Sequence, residues 1–137
     1  MKAFFHWLLF ALRLVFGAWF VFAGLNDLLH FWQPPAPMTP QSQVFMQGLA
    51  GSGYIFPVLG ILYTVSGVFL LANRFVALAL VMLAAPVVVI FGYHTVMEDH
   101  LLGPGLVLLL VYLALAWQQR ATLGVLLRPS SPVSTQG

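Results

Sequence analysis

From Tyr54 to Met97 the chain carries a single Lys, Arg, Asp or Glu, Arg74, in an otherwise nearly unbroken apolar run. Few folds accept such a run. At about 1.5 Å of rise per residue, a helix of this length is roughly twice as long as the ~30 Å of hydrocarbon in a bilayer. The run therefore reads as two membrane-spanning helices, 54–72 and 75–97, joined by a tight turn at Asn73-Arg74. Two further apolar stretches, 4–29 and 103–118, bring the expected number of spans to four. The fold class is all-α, an integral membrane four-helix bundle, because helices satisfy every backbone polar group internally in lipid.

Composition agrees. The chain is 61% hydrophobic and only 6% charged, whereas a soluble domain has about 25% charged residues. A net charge of +2 is too small to suggest nucleic-acid binding. The chain has no cysteine, which excludes thiol catalysis, cysteine-ligated iron–sulfur clusters and covalently attached c-type haem. Arg13 interrupts the first apolar stretch, which is also too long for the core of a cleaved signal, so it is read as an uncleaved span.

The first outer loop has its own punctuation. Gln33 to Thr39 is too proline-rich for helix. Thr39-Pro40 then resembles an N-cap with proline at the first helical position. A short interfacial helix is expected over about 41–49, ended by Gly51 and Gly53. Residues 1–120 form one transmembrane domain, and 121–137, ending in RPSSPVSTQG, form a polar tail expected to be disordered.

Charge sets the orientation. In the four-span arrangement Lys2, Arg74, Arg120 and Arg128 share one side, with Arg13 nearer that side than the other. The 30–52 loop and the 98–103 turn carry neither Lys nor Arg. The positive-inside rule then places both termini in the cytoplasm.

The polar residues within or beside the spans are the candidate site. Arg13, Gly17, Phe20, Gly24 and Asp27 follow a four-three-four-three spacing and share one helix face. Gly17 and Gly24 there, with Gly60, Thr64 and Gly67 on the second span, make a small-residue seam for close helix packing. Arg13 is expected to snorkel toward the cytoplasmic headgroups, the alternative being a buried cation that anchors an anionic group or a quinone oxygen. Asp27 and His30 stand at i and i+3, and His94 and Glu98 at i and i+4. If the first and third spans are neighbours, these four converge at the outer face and become ligand-binding candidates. Imidazole and carboxylate together suit zinc, iron or copper, but no ligand motif is present. No metal is therefore assigned, and His30, His94 and Glu98 stand as weak candidates, with His30 and His94 equally weak axial candidates for b-type haem. Tyr63, Thr64 and Ser66 place hydroxyls inside the second span, and Pro86 is expected to kink the third. His6 beside Trp7 reads as part of an aromatic belt.

The stretches RLVFGAWFVFAGLNDLLHF, GSGYIFPVLG, SGVFLLANRFVALALVMLAAP and YHTV, in this order along about residues 13–118, resemble the DoxX-like family of small bacterial membrane proteins. The resemblance implies a compact four-helix domain in the bacterial cytoplasmic (inner) membrane. Family members are associated with quinone-linked terminal oxidases, thiosulfate oxidation and oxidative-stress complexes. Relatives often carry a glutamate in the second span where this chain has Tyr63, which puts any proton or ligand role of that position in doubt here. The histidine near the end of their third span is matched by His94.

The leading expectation is a non-catalytic accessory subunit, with the lipid bilayer and other membrane subunits as partners. The complex would be a redox or energy-transducing one, a quinol oxidase or a photosynthetic assembly. The alternative is a protein that binds, or acts as an oxidoreductase on, a quinone or another hydrophobic small molecule, through Asp27, His30, Tyr63, His94, Glu98 and Arg13. A transporter is a weaker third reading, since four spans leave little room for alternating access.

Overall fold

The structure is a computed structural model that describes residues 1–129. Helix α1 (Lys2–Leu29) leads through a proline-rich loop to α2 (Pro40–Gly51), and α3 (Ile55–Ala72) follows. Then come α4 (Val76–Gly92), a π-helical turn at Tyr93–Met97, α5 (Pro104–Gln118) and the short α6 (Arg120–Val125). Lys2–Leu29, Ile55–Ala72 and the continuous Val76–Met97 are long and apolar enough to cross a membrane, while Pro104–Gln118 is apolar but shorter. The architecture is that of a helical membrane protein.

Element boundaries follow from local chemistry. Thr39 accepts the Ser42 N–H, and the Ser42 hydroxyl accepts the Thr39 N–H in return, so α2 begins in a reciprocal capping box ahead of Pro40. The turn between α3 and α4 is tight because Asn73 and Phe75 both adopt left-handed backbone, at φ 54° and 55°. Pro86 lies inside α4, where it withholds a hydrogen bond from the Met82 carbonyl. The run TLGVLL keeps the chain apolar past Arg120, and residues 120–125 are helical where an irregular tail was expected. Residues 130–137, the rest of that tail, lie outside the described residues.

Helices α1, α3, α4 and α5 pack in a ring: α1 on α3, α3 on α4, α4 on α5, and α5 back on α1. The tightest contact is α1 with α3, which run antiparallel. A Cβ on Gly67 would sit 2.6 Å from the Gly17 carbonyl oxygen, and one on Gly24 would sit 2.7 Å from that of Gly60. These four glycines thus meet as two pairs, one near each end of the seam, and the backbones approach to a distance no larger residue allows. Phe16, Phe20, Leu70, Leu80, Leu83, Val87 and Leu115 fill the space behind the seam. At one end Arg13 donates to the side-chain oxygen of Asn73, tying α1 to the α3–α4 turn. Its Nε is buried without a partner among the described residues.

One part of the chain stays outside this packing. Because Arg13 is level with the end of α3, the first three turns of α1 run past it, by ~16 Å at helical rise. Phe4, Phe5, Trp7, Leu8 and Phe10 on those turns are all exposed. Their aromatic contacts are with one another: Phe4 with Phe5, His6 with Trp7, and Trp7 with Phe10.

Candidate functional site

The sequence places Asp27, His30, His94 and Glu98 at one end of the molecule, but they do not form one cluster. Convergence required the first and third spans to be neighbours. Instead α1 packs between α3 and α5, and α4 lies diagonally across the ring. Among the described residues no three His, Asp or Glu side chains come close enough to hold a metal ion. The candidates divide among three places.

The first is a vestibule of about 630 Å³ at the C-terminal end of α1, lined by Asn26, Asp27, His30, Trp32, Met46 and Phe56, among others. Here α1 ends as His30 turns into left-handed backbone at φ 53°, its N–H bonded to the Asn26 carbonyl at 2.8 Å. The Asn26 side chain then accepts the Trp32 N–H at 2.7 Å, holding the turn that leads into the proline-rich loop. Asn26 is a capping residue, and Asp27 and His30 follow it at the next position and at the C-cap.

The second place is Glu98, which sits just past the π-helical turn and is 8% exposed. Its carboxylate accepts the Met38 N–H at 3.0 Å and is 3.5 Å from the donating Tyr93 hydroxyl. Beside it, Thr39 donates its hydroxyl to the Met97 carbonyl at 2.6 Å, and Ser42 is fully buried. The donors around it, the Ser42 hydroxyl first and then the Met38 and Thr39 N–H groups and the Tyr93 hydroxyl, hold the Glu98 carboxyl below its ordinary value, and burial opposes this only in part. Glu98 is a clasp that fastens the start of α2 to the end of α4. Asp99 and His100 turn away from it, Asp99 in left-handed backbone at φ 55° and His100 with its Nδ1 on the Glu98 carbonyl at 2.6 Å.

The third place is a cleft of about 550 Å³ between α1 and α5, floored by α3 and α4. Leu12, Phe16, Trp19, Phe20 and Ala23 line it from α1, and Val107 and Val111 from α5. Among the described residues that line it, Tyr63 brings a hydroxyl, His94 an imidazole and Trp19 an indole N–H. The Tyr63 ring meets Phe20 edge-on at 5.1 Å, and the residue is 8% exposed. The Tyr112 hydroxyl donates to the Leu80 carbonyl and the Tyr93 hydroxyl to Glu98. His94 rides on the π-helical turn, with its ring packed edge-on against Tyr93 at 5.2 Å. A Cβ on Gly105 of α5 would stand 3.0 Å from the His94 Cβ and 3.1 Å from its Cδ2, so that glycine makes room for the imidazole.

Tyr63 and His94 are therefore brought to one cavity, Asp27 and His30 to another, and Glu98 to the clasp. Arg13 lies apart from all three, on Asn73. Ser42, Asn73 and Gly105 were not singled out as contributors. A capping motif foretells the Ser42–Thr39 pairing but not Glu98 beside it, and nothing in the local sequence ties Gly105 to His94.

No family model, no curated protein and no solved structure matches this chain.

Proposed function

We propose that the chain is a DoxX-like protein of the bacterial cytoplasmic membrane that serves, without catalytic activity of its own, as a small accessory subunit of a larger redox or energy-transducing complex. In this reading α5 crosses the membrane as a fourth span, α2 lies at the outer surface, and both termini are cytoplasmic. The distribution of charge supports the orientation. Lys2, Arg13, Arg74, Arg120 and Arg128 belong to the end of the ring where α1 begins and α3 turns into α4, and the three acids belong to the other. A quinol oxidase is the class of complex that the family resemblance suggests, and a photosynthetic assembly is the other candidate.

The observation that carries the reading is the uncovered start of α1. A 28-residue helix beside an 18-residue one leaves three turns rich in Phe and Trp with no packing partner in the described chain. From Arg13 to Leu29 the helix already covers ~25 Å, close to the thickness of the hydrocarbon. In this reading the contiguous aromatic surface beyond that thickness is a contact with another protein, in place of the interfacial aromatic belt expected from His6-Trp7. Extraction of native membranes with a mild detergent, followed by mass spectrometry of what copurifies, tests this. A membrane partner in fixed stoichiometry is expected; a monodisperse chain with no protein partner speaks against it.

A further inference from the structure

The vestibule at the C-terminal end of α1 sets one carboxylate among aromatic rings. Asp27 lines it from α1 and is half-buried. Phe31 and Trp32 in the following loop, Met46 on α2 and Phe56 on α3 supply apolar wall around it. The two loop rings are held in place. The Trp32 N–H donates to the Asn26 side chain at 2.7 Å, and the Phe31 and Trp32 rings pack on Phe22 at 5.4 and 5.7 Å. Both rings stay open to the surface, with Phe31 54% and Trp32 45% exposed.

Asp27 has no fixed cation beside it. No Lys or Arg lines the vestibule, and none stands between Arg13 and Arg74 in the chain. Among the described residues, the ionisable side chains that feel its charge are His30 and Tyr63. An ionised carboxylate partly withdrawn from water without a counter-charge is costly.

We propose that this vestibule binds an alkylated ammonium ion, its positive charge set against the Asp27 carboxylate and its methyl or methylene groups against the Phe31, Trp32 and Phe56 rings. Sign selects a cation. Ligand count disfavours a metal, since no three His, Asp or Glu side chains among the described residues come together, whereas hard cations take six or so oxygens. Aromatic faces attract an organic cation through their quadrupoles, and such rings are the usual partners of quaternary ammonium groups. A primary ammonium would bring three donors, and the Asn26 side-chain oxygen is already engaged by Trp32. Alkyl groups on the nitrogen remove that demand. Size allows it, since about 630 Å³ lies within the ~300–1,000 Å³ of small-molecule sites. The ammonium belongs either to a free solute or to a lipid headgroup, and its chemistry is the same in both.

The proposal does not rest on the accessory-subunit reading and is tested on the isolated full-length chain. The chain is placed in phosphatidylglycerol nanodiscs at about pH 8, where carboxylates are ionised and imidazoles neutral. With Trp7, Trp19 and Trp117 replaced by Phe, Trp32 is the sole indole and reports on the vestibule. Choline is titrated as the probe at constant ionic strength, beside its uncharged isostere in which a quaternary carbon replaces the nitrogen. A saturable change in Trp32 emission is expected, with the isostere at least about tenfold weaker, the effect of one charge-assisted contact. Asp27→Asn keeps the shape and removes the charge. It should weaken choline by a similar factor and melt no lower than the parent. Phe56→Leu removes one aromatic face and should weaken choline by about threefold. A second set of nanodiscs containing phosphatidylcholine identifies the source. A weaker apparent affinity for choline there assigns the site to a lipid headgroup, and an unchanged one assigns it to a solute. Absence of a saturable change, equal binding of choline and its isostere, or equal choline affinity in the parent and Asp27→Asn overturns the proposal.

Discussion

At the residue scale the structure depends most on the absence of side chains at the seam. Gly24 shows the constraint most sharply. A Cβ there would meet the backbone nitrogen of Thr64 at 2.6 Å and the Gly60 carbonyl oxygen at 2.7 Å, and neither atom can move without moving α3. Gly24→Ala is expected to destabilise the protein by about 1–3 kcal/mol through overpacking, seen as a lower melting temperature in detergent. Gly48 on α2 is the control, because a Cβ there has nothing within 4 Å. Gly48→Ala should leave stability unchanged or raise it by up to about 1 kcal/mol, from helix propensity alone. Equal effects of the two substitutions would mean that the seam is not the tightest contact in the fold. This part of the architecture was legible in the sequence, since glycines at 17, 24, 60 and 67 recur at helical spacing. The partner of Arg13 was not, because its bond to Asn73 depends on where a turn sixty residues away comes to rest.

At the element scale, the spans and the start of α2 could be read from apolar length, Thr39-Pro40 and the turn residues. Their neighbours could not. Periodicity says which face of a helix is apolar or small, but in a ring of four it does not say which two helices are diagonal. That single ambiguity separated His94 from Asp27 and His30, and the condition for a four-residue cluster, that the first and third spans be neighbours, is not met. Glu98 changes role for a similar reason: at i+4 from His94 it looks like a co-ligand, yet it turns back to accept the Met38 N–H. The clasp is pH-dependent with a definite sign. A carboxyl held below its ordinary value in the folded state adds stability that is present above the ordinary carboxylate range and lost as pH falls through the lowered value. Amides of residues 38–44 should therefore stay protected from hydrogen exchange near neutrality and lose protection in acid, after correction for intrinsic exchange rates. Glu98→Gln should be less protected at neutral pH and should lose the acid-dependent change. Protection in the parent that does not depend on pH would show that α2 is held by other contacts.

At the scale of the whole molecule, the described chain is a ring of apolar helices with its charged groups toward the two ends. The proposed orientation is directly measurable because the chain has no cysteine. Ser52→Cys, in the segment between α2 and α3, should react with a membrane-impermeant maleimide on intact cells or spheroplasts. Gly124→Cys, on α6, should react only after permeabilisation. The reverse pattern would invert the topology.

The central claim is that the uncovered first turns of α1 are covered by another protein. Site-specific photocrosslinking in native membranes addresses it with two reporters, one at Trp7 on those turns and one at Val88 on α4, which are 66% and 63% exposed. The account predicts a discrete protein adduct of higher mass from position 7 and only lipid adducts from position 88. Lipid adducts alone from both positions would contradict it.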